Sequence, residues 1–104
     1  MNKGIVYYRD IVAGTLTRDS DGYTFRYDPM YLADSHFPDI SATLPKSCTE
    51  YHSTFLFPFF YGLLAEGRQK DRQCRELHID EKDHFTRLIE TSACGAIGAV
   101  YVKA

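Results

Sequence analysis

The first half of the chain alternates apolar and polar positions, and the second half groups its apolar residues at helical spacing. Ile5–Tyr8 reads as a short strand, and Arg9-Asp10 as the turn that ends it. Ile11–Thr17 reads as a second strand, with Val12, Gly14 and Leu16 on one face. Asp19-Ser20-Asp21-Gly22 is a hairpin signal, because an Asp-Gly pair accepts the positive φ that tight turns need. Tyr23-Thr24-Phe25-Arg26-Tyr27 then puts its aromatics on one face and Thr24 and Arg26 on the other. Asp28-Pro29 stops the strand, since proline has no N–H to donate to a ladder.

Residues 30–50 predict irregular chain, with one short strand at Ile40–Leu44. Pro58 suits a first helical turn and Gly67 a C-terminal stop, so a helix is predicted over Pro58–Glu66. A mostly polar helix follows at Arg68–Leu77. A third is predicted over Glu81–Thr91, capped by Asp80, with Phe85, Leu88 and Ile89 as its apolar stripe and Asp83 placed to pair with Arg87. Ala99–Val102 reads as the last strand. Strands first and helices later make an α+β domain: a small antiparallel sheet, formed by the N-terminal meander plus the C-terminal strand, packed with about three helices.

Length fits one domain spanning 1–104, since a domain takes roughly 100–150 residues. At 44% hydrophobic and 25% charged residues the chain is in the globular range, not the disordered one. Twelve basic and fourteen acidic residues give a net charge of −2, which offers no basic field for direct contact with nucleic acid. No apolar stretch approaches the ~20 residues that span a bilayer, and the N-terminal apolar run is too short for a secretory signal. Cys48, Cys74 and Cys94 fit neither a disulfide framework nor a zinc pattern, so mostly buried, reduced thiols in a cytoplasmic protein are expected. His36, His52, His78 and His84 show no ligand spacing, and the glycines form no phosphate loop. No catalytic, cofactor or metal site is predicted, and the chain reads as a non-enzyme.

Two segments stand out. Five of the 15 aromatics fall within Phe55–Tyr61, and positions 59, 60, 61, 63 and 64 are all apolar, far more than one stripe of a helix. Such a helix is either a central core element or has one side against another protein. Arg68, Lys70, Arg72 and Arg75 surround a single acid, Asp71, which reads either as a solvated helix face or as a contact for an acidic or phosphate-bearing surface.

The order of these segments resembles the N-terminal domain of HipA-type serine/threonine kinases. The resemblance runs through Gly14-Thr15-Leu16, Gly22–Asp28, Tyr31-Leu32 and Ile40–Pro45. It continues through Phe59-Phe60-Tyr61-Gly62-Leu63-Leu64-Ala65-Glu66-Gly67, which is similar to the family's Phe-Phe-x-x-Leu-Leu-Pro-Glu-Gly helix end, and closes at Asp83–Phe85 and Cys94–Val100. Ala65 departs from the family's usual proline, which implies a looser Glu66–Arg68 turn.

In that family the domain precedes a catalytic kinase domain, and no kinase motif is found here. The resemblance therefore implies a free-standing, HipS-like antitoxin subunit of a three-part HipBST toxin–antitoxin system. Its implied partners are a HipT-like kinase toxin and a HipB-like DNA-binding repressor. The kinase-binding residues expected are Phe59, Phe60, Tyr61, Leu64, Glu66, Gly67 and Arg68. Two other readings stay open: a non-inhibitory subunit that supports operator binding through the repressor, and the N-terminal fragment of a one-chain HipA toxin.

Overall fold

The computed structural model describes residues 2–92 and 99–104. Five strands, β1 (Lys3–Tyr8), β2 (Ile11–Asp19), β3 (Gly22–Tyr27), β4 (Glu50–Ser53) and β5 (Val100–Lys103), form one sheet in the order β4-β3-β2-β1-β5. Every neighbouring pair is antiparallel. The helices are α1 (Pro29–Ala33), α2 (Pro58–Tyr61), α3 (Gly67–Leu77) and α4 (His84–Thr91). The α+β class and the meander with a C-terminal strand are as the sequence predicts.

Both hairpin turns have physical causes in the residues that make them. Arg9 and Asp10 take φ of +47° and +69°, the left-handed pair that matches strand twist in a two-residue hairpin. That conformation is strained for residues other than glycine. It is held by a hydrogen bond from the Arg9 N–H to the Ala99 carbonyl (2.9 Å) and by the Tyr101 hydroxyl donating to the Asp10 carboxylate. At the second turn Asp19 pairs with Gly22, whose φ is +130°. A Cβ at Gly22 would sit 2.3 Å from the Ser53 carbonyl oxygen, so β4 closes against β3 only because this residue has no side chain.

The face expected of β2 is corrected by a bulge. Val6 pairs with Gly14 but Tyr7 pairs with Val12, leaving Ala13 as the extra residue. The alternation flips there. Ala13 and Leu16 are buried, whereas Val12 turns outward and is exposed.

The core lies between one sheet face and three of the helices. Val6, Leu16, Phe25, Tyr27, Val100 and Val102 face Tyr31 of α1, Phe60 of α2, and Phe85, Leu88 and Ile89 of α4. Burial pushes the Tyr27 and Tyr31 hydroxyls each up to about 12.

Residues 34–48 wrap around those tyrosines, which corrects the short strand expected at Ile40–Leu44. The Tyr27 hydroxyl accepts from the Ile40 N–H (3.1 Å) and donates to the Leu44 carbonyl. The Leu44 N–H turns back to the Ser41 carbonyl (3.1 Å). The backbone groups that a ladder would use are thereby spent on one side chain and one turn. Tyr31 donates to the Pro38 carbonyl, and the Lys46 ammonium donates to the Asp34 and Phe37 carbonyls at 2.8 Å each.

Two elements were not foreseen. Asp28-Pro29 ends β3 but also starts α1: the Asp28 carboxylate accepts from the Met30 N–H (2.9 Å) and Pro29 occupies the first turn. The fourth strand, β4, is polar and short, and pairs along β3 from Arg26↔Glu50 to Tyr23↔Ser53. Among the described residues there are four helices, where about three were expected.

The last predicted helix is also shifted. It starts at His84, with Asp83 as its cap; Asp80 instead accepts from the Lys82 N–H (2.9 Å) in the turn before it. Cys48 is exposed and Cys74 half-buried, so neither is the buried thiol expected. Cys94 and the glycine-rich approach to β5 lie outside the described residues.

Candidate functional site

Pro58 starts α2 as expected, and the Gly62 N–H closes it on the Pro58 carbonyl (2.9 Å). The helix stops at Tyr61, not Glu66. Gly62 weakens continuation, and the next amides bond three residues back, Leu63 to Phe60 and Leu64 to Tyr61, at 3.1 Å each. Glu66 is extended and precedes α3 (φ −125°, ψ 166°), and Gly67 is the first residue of that helix with φ +62°. Gly67 therefore opens a helix where the sequence reads as a stop. Left-handed backbone is available to it without the Cβ penalty.

The expected partner-binding residues separate by burial. Phe60 is fully buried, against Phe25, Phe57 and Phe59, and Leu64 is buried too. These two serve the core. Phe59 is half-buried, whereas Tyr61 (49% exposed), Glu66, Gly67 and Arg68 reach the surface. The apolar run thus resolves into a core anchor with an exposed rim, and the exposed members run from the end of α2 across the turn to the start of α3.

That turn is held by a residue the sequence reading assigned elsewhere. Arg87 is only 4% exposed. One guanidinium nitrogen donates to the Ala65 carbonyl (2.7 Å) and the other to the Glu81 carbonyl (3.3 Å). Arg87 therefore clamps the turn at Ala65. A charged residue on the inner side of a strongly amphipathic helix, between Phe85 and Leu88, was the available signal.

Asp83 does not pair with Arg87 as expected. Its carboxylate accepts from Arg18 (2.9 Å), from the Thr86 N–H (3.1 Å) and from the Thr86 hydroxyl (2.8 Å). Arg18 also lies over the Phe85 ring, at 4.9 Å from its centroid, and so joins β2 to α4. Burial raises the Asp83 pKa, but the Thr86 and Arg18 bonds outweigh it and hold the carboxyl below its ordinary value. A depressed folded pKa gives stability that is present above the unfolded carboxylate value, about 4, and is lost as pH falls through the folded one. Asp83→Asn should therefore destabilise the domain at pH 7, with the difference from wild type shrinking below pH 4. Urea midpoints at pH 7 and pH 3 check this, and a difference that does not change with pH would contradict it.

Between α2, α3 and the start of α4 lies an open groove of about 370 Å³. Tyr61, Glu66, Lys70, His84 and Arg87 line it, and the Tyr61 and His84 rings meet edge to face at 5.0 Å. Beyond the turn, α3 stands proud of the domain, with none of its residues buried. Among the described residues no group of three or more His, Cys, Asp or Glu side chains is placed to hold a metal ion, and no helix is long and apolar enough to cross a membrane.

A single sheet covered on one face by short helices, with an exposed turn and a projecting basic helix, defines a small α+β domain whose distinguishing surface is the α2–α3 turn. The chain belongs to the HipA N-terminal domain family, whose model matches residues 4–103. It is similar to a solved structure of the N-terminal domain of HipA toxin, with 28% identity and a TM-score of 0.72 over 99% of this chain and 92% of that one. It is also 31% identical, over 103 residues, to an uncharacterized protein of Haemophilus influenzae, covering 99% of this chain and 92% of that protein. Membership ties the chain to the HipA-related toxin–antitoxin proteins.

Proposed function

We propose that this chain is an antitoxin that binds and inhibits a separate HipT-type serine/threonine kinase in the cytoplasm. It acts within a complex that also holds a HipB-type repressor, and it performs no chemistry of its own. The observation that carries the reading is the exposed Tyr61–Glu66–Gly67–Arg68 surface, clamped from beneath by Arg87 and backed by the buried Phe60. An exposed aromatic and an arginine on a fixed turn are the residue types that anchor protein interfaces. The Haemophilus relative, of which this chain covers 92%, supports a domain of this kind existing without a fused kinase.

Inhibition follows from occlusion. The turn enters the kinase cleft, and Arg68, exposed at the start of α3, goes in with it. Neutralising a toxin calls for nanomolar affinity, about −12 kcal/mol. An interface burying roughly 1,600 Å² supplies that when a few central residues carry most of it.

The test is co-expression of the kinase with Arg68→Glu or Tyr61→Ala, scored by growth, with folding of each variant checked by circular dichroism. Both residues are exposed, so the variants should fold. Each should lose about 30-fold or more in affinity and fail to protect, as expected of an interface anchor worth about 2 kcal/mol. Full protection by every folded variant would overturn the occlusion mechanism.

A further inference from the structure

We infer that the outer face of α3 is a docking face for a carboxylate-rich surface of the partner protein, through Arg68, Arg72 and Arg75. The inference rests on the reading of this chain as a kinase-covering domain, and names the chemistry of the surface it meets. Spacings of four and three place the three guanidinium groups within an arc of roughly 60° on one side of the helix. Lys70, Gln73 and Cys74, the half-buried members of α3, occupy the opposite side. All three arginines are exposed, and among the described residues none lies within ion-pair distance of a carboxylate. Asp71 stands four residues before Arg75, the spacing that favours a pair, yet no such pair forms. The three line a shallow depression of about 520 Å³ together with Gln69 and Asp71.

With three arginines against the single Asp71, this is a net positive island on a chain of net charge −2. Arginine is weakly hydrated and presents a planar fork that matches a carboxylate with two hydrogen bonds, so it gives up water at lower cost than lysine. A polyanion such as duplex DNA would feel the net negative charge of the whole domain, whereas a local acidic protein surface would feel the island. The stripe begins at Arg68, so it continues the turn proposed to enter the kinase cleft.

The experiment measures association of the full chain with the purified HipT-type kinase at 50 and 300 mM salt, for wild type and for Arg72→Glu/Arg75→Glu. The wild-type association rate should fall steeply with salt. The double variant should associate about 10-fold or more slowly at low salt and lose the salt dependence, and the milder Arg72→Gln/Arg75→Gln should fall between. Kinase binding by wild type with the variants unaffected overturns this inference and leaves the antitoxin reading standing. No kinase binding by wild type overturns that reading and this inference with it. Loss of the salt dependence when the kinase is treated with phosphatase overturns the carboxylate assignment in favour of a phosphoryl group. Binding of a fluorescent 20-base-pair duplex in place of the kinase, abolished in the double variant, overturns it in favour of nucleic acid.

Discussion

Phe60→Ala is expected to destabilise the domain by about 3–5 kcal/mol, the range for deleting a fully buried aromatic ring. Phe60 has no exposed surface and touches the rings of Phe25, Phe57 and Phe59, so its loss opens a cavity where α2 meets the sheet. Against a total of about 5–15 kcal/mol for a domain, much of the population would unfold under mild stress. Urea denaturation should show a lowered midpoint with an unchanged slope. Tyr61→Ala, one residue on, should cost less than about 1 kcal/mol, because Tyr61 is half exposed and its ring contact is with His84. Equal destabilisation by the two would contradict the division of this run into core and rim. If the domain acts as proposed, the contrast also separates two routes to lost kinase inhibition: Phe60→Ala should lose it by unfolding, and Tyr61→Ala should lose it while folded.

Arg87→Ala should cost about 2–4 kcal/mol, because it leaves the Ala65 and Glu81 carbonyls without their charged donor and removes a packed aliphatic stem. Its functional effect is local. With Ala65 unpinned, the Glu66–Arg68 turn should sample other conformations, and under the proposed function ordering it again on binding should weaken the complex. Arg87→Lys is the sharper probe, since one ammonium cannot hold both carbonyls in the guanidinium's geometry. Amide hydrogen exchange at residues 66–68 should quicken in Arg87→Lys while exchange in β1–β3 stays slow. Unchanged exchange at the turn would show that Arg87 does not position it.

How far the sequence revealed this architecture depended on whether an element's cause was local. The β1–β3 meander is written in alternation and in turn residues, and it appears where Tyr23–Tyr27 and Asp19–Gly22 put it. The β2 bulge reverses a face that alternation alone cannot show, because its cause is the pairing of Val6 with Gly14 and Tyr7 with Val12. Ile40–Leu44 has strand-like residues but is claimed by a hydroxyl 13 residues away in sequence, that of Tyr27. The polar strand β4 exists because β3 offers it an edge. The Phe59–Arg68 segment stood out in the sequence, but periodicity did not show which of its residues are core, as Phe60 and Leu64 are, and which are exposed. The foundation of the candidate site was not legible, since the Arg87 clamp spans 22 residues and Arg87 looked like a partner for Asp83. The departure at Ala65 implied a looser turn, and the clamp on its carbonyl supplies a fixed point there.

The most direct test of the account is phosphoryl transfer by the purified HipT-type kinase as this chain is titrated in, with no repressor and no DNA present. The account expects activity to fall in proportion to added chain and to vanish at one chain per kinase, with no turnover by the chain alone. Full kinase activity in the presence of excess folded chain would contradict it, and would leave the domain as an assembly subunit that acts through the repressor.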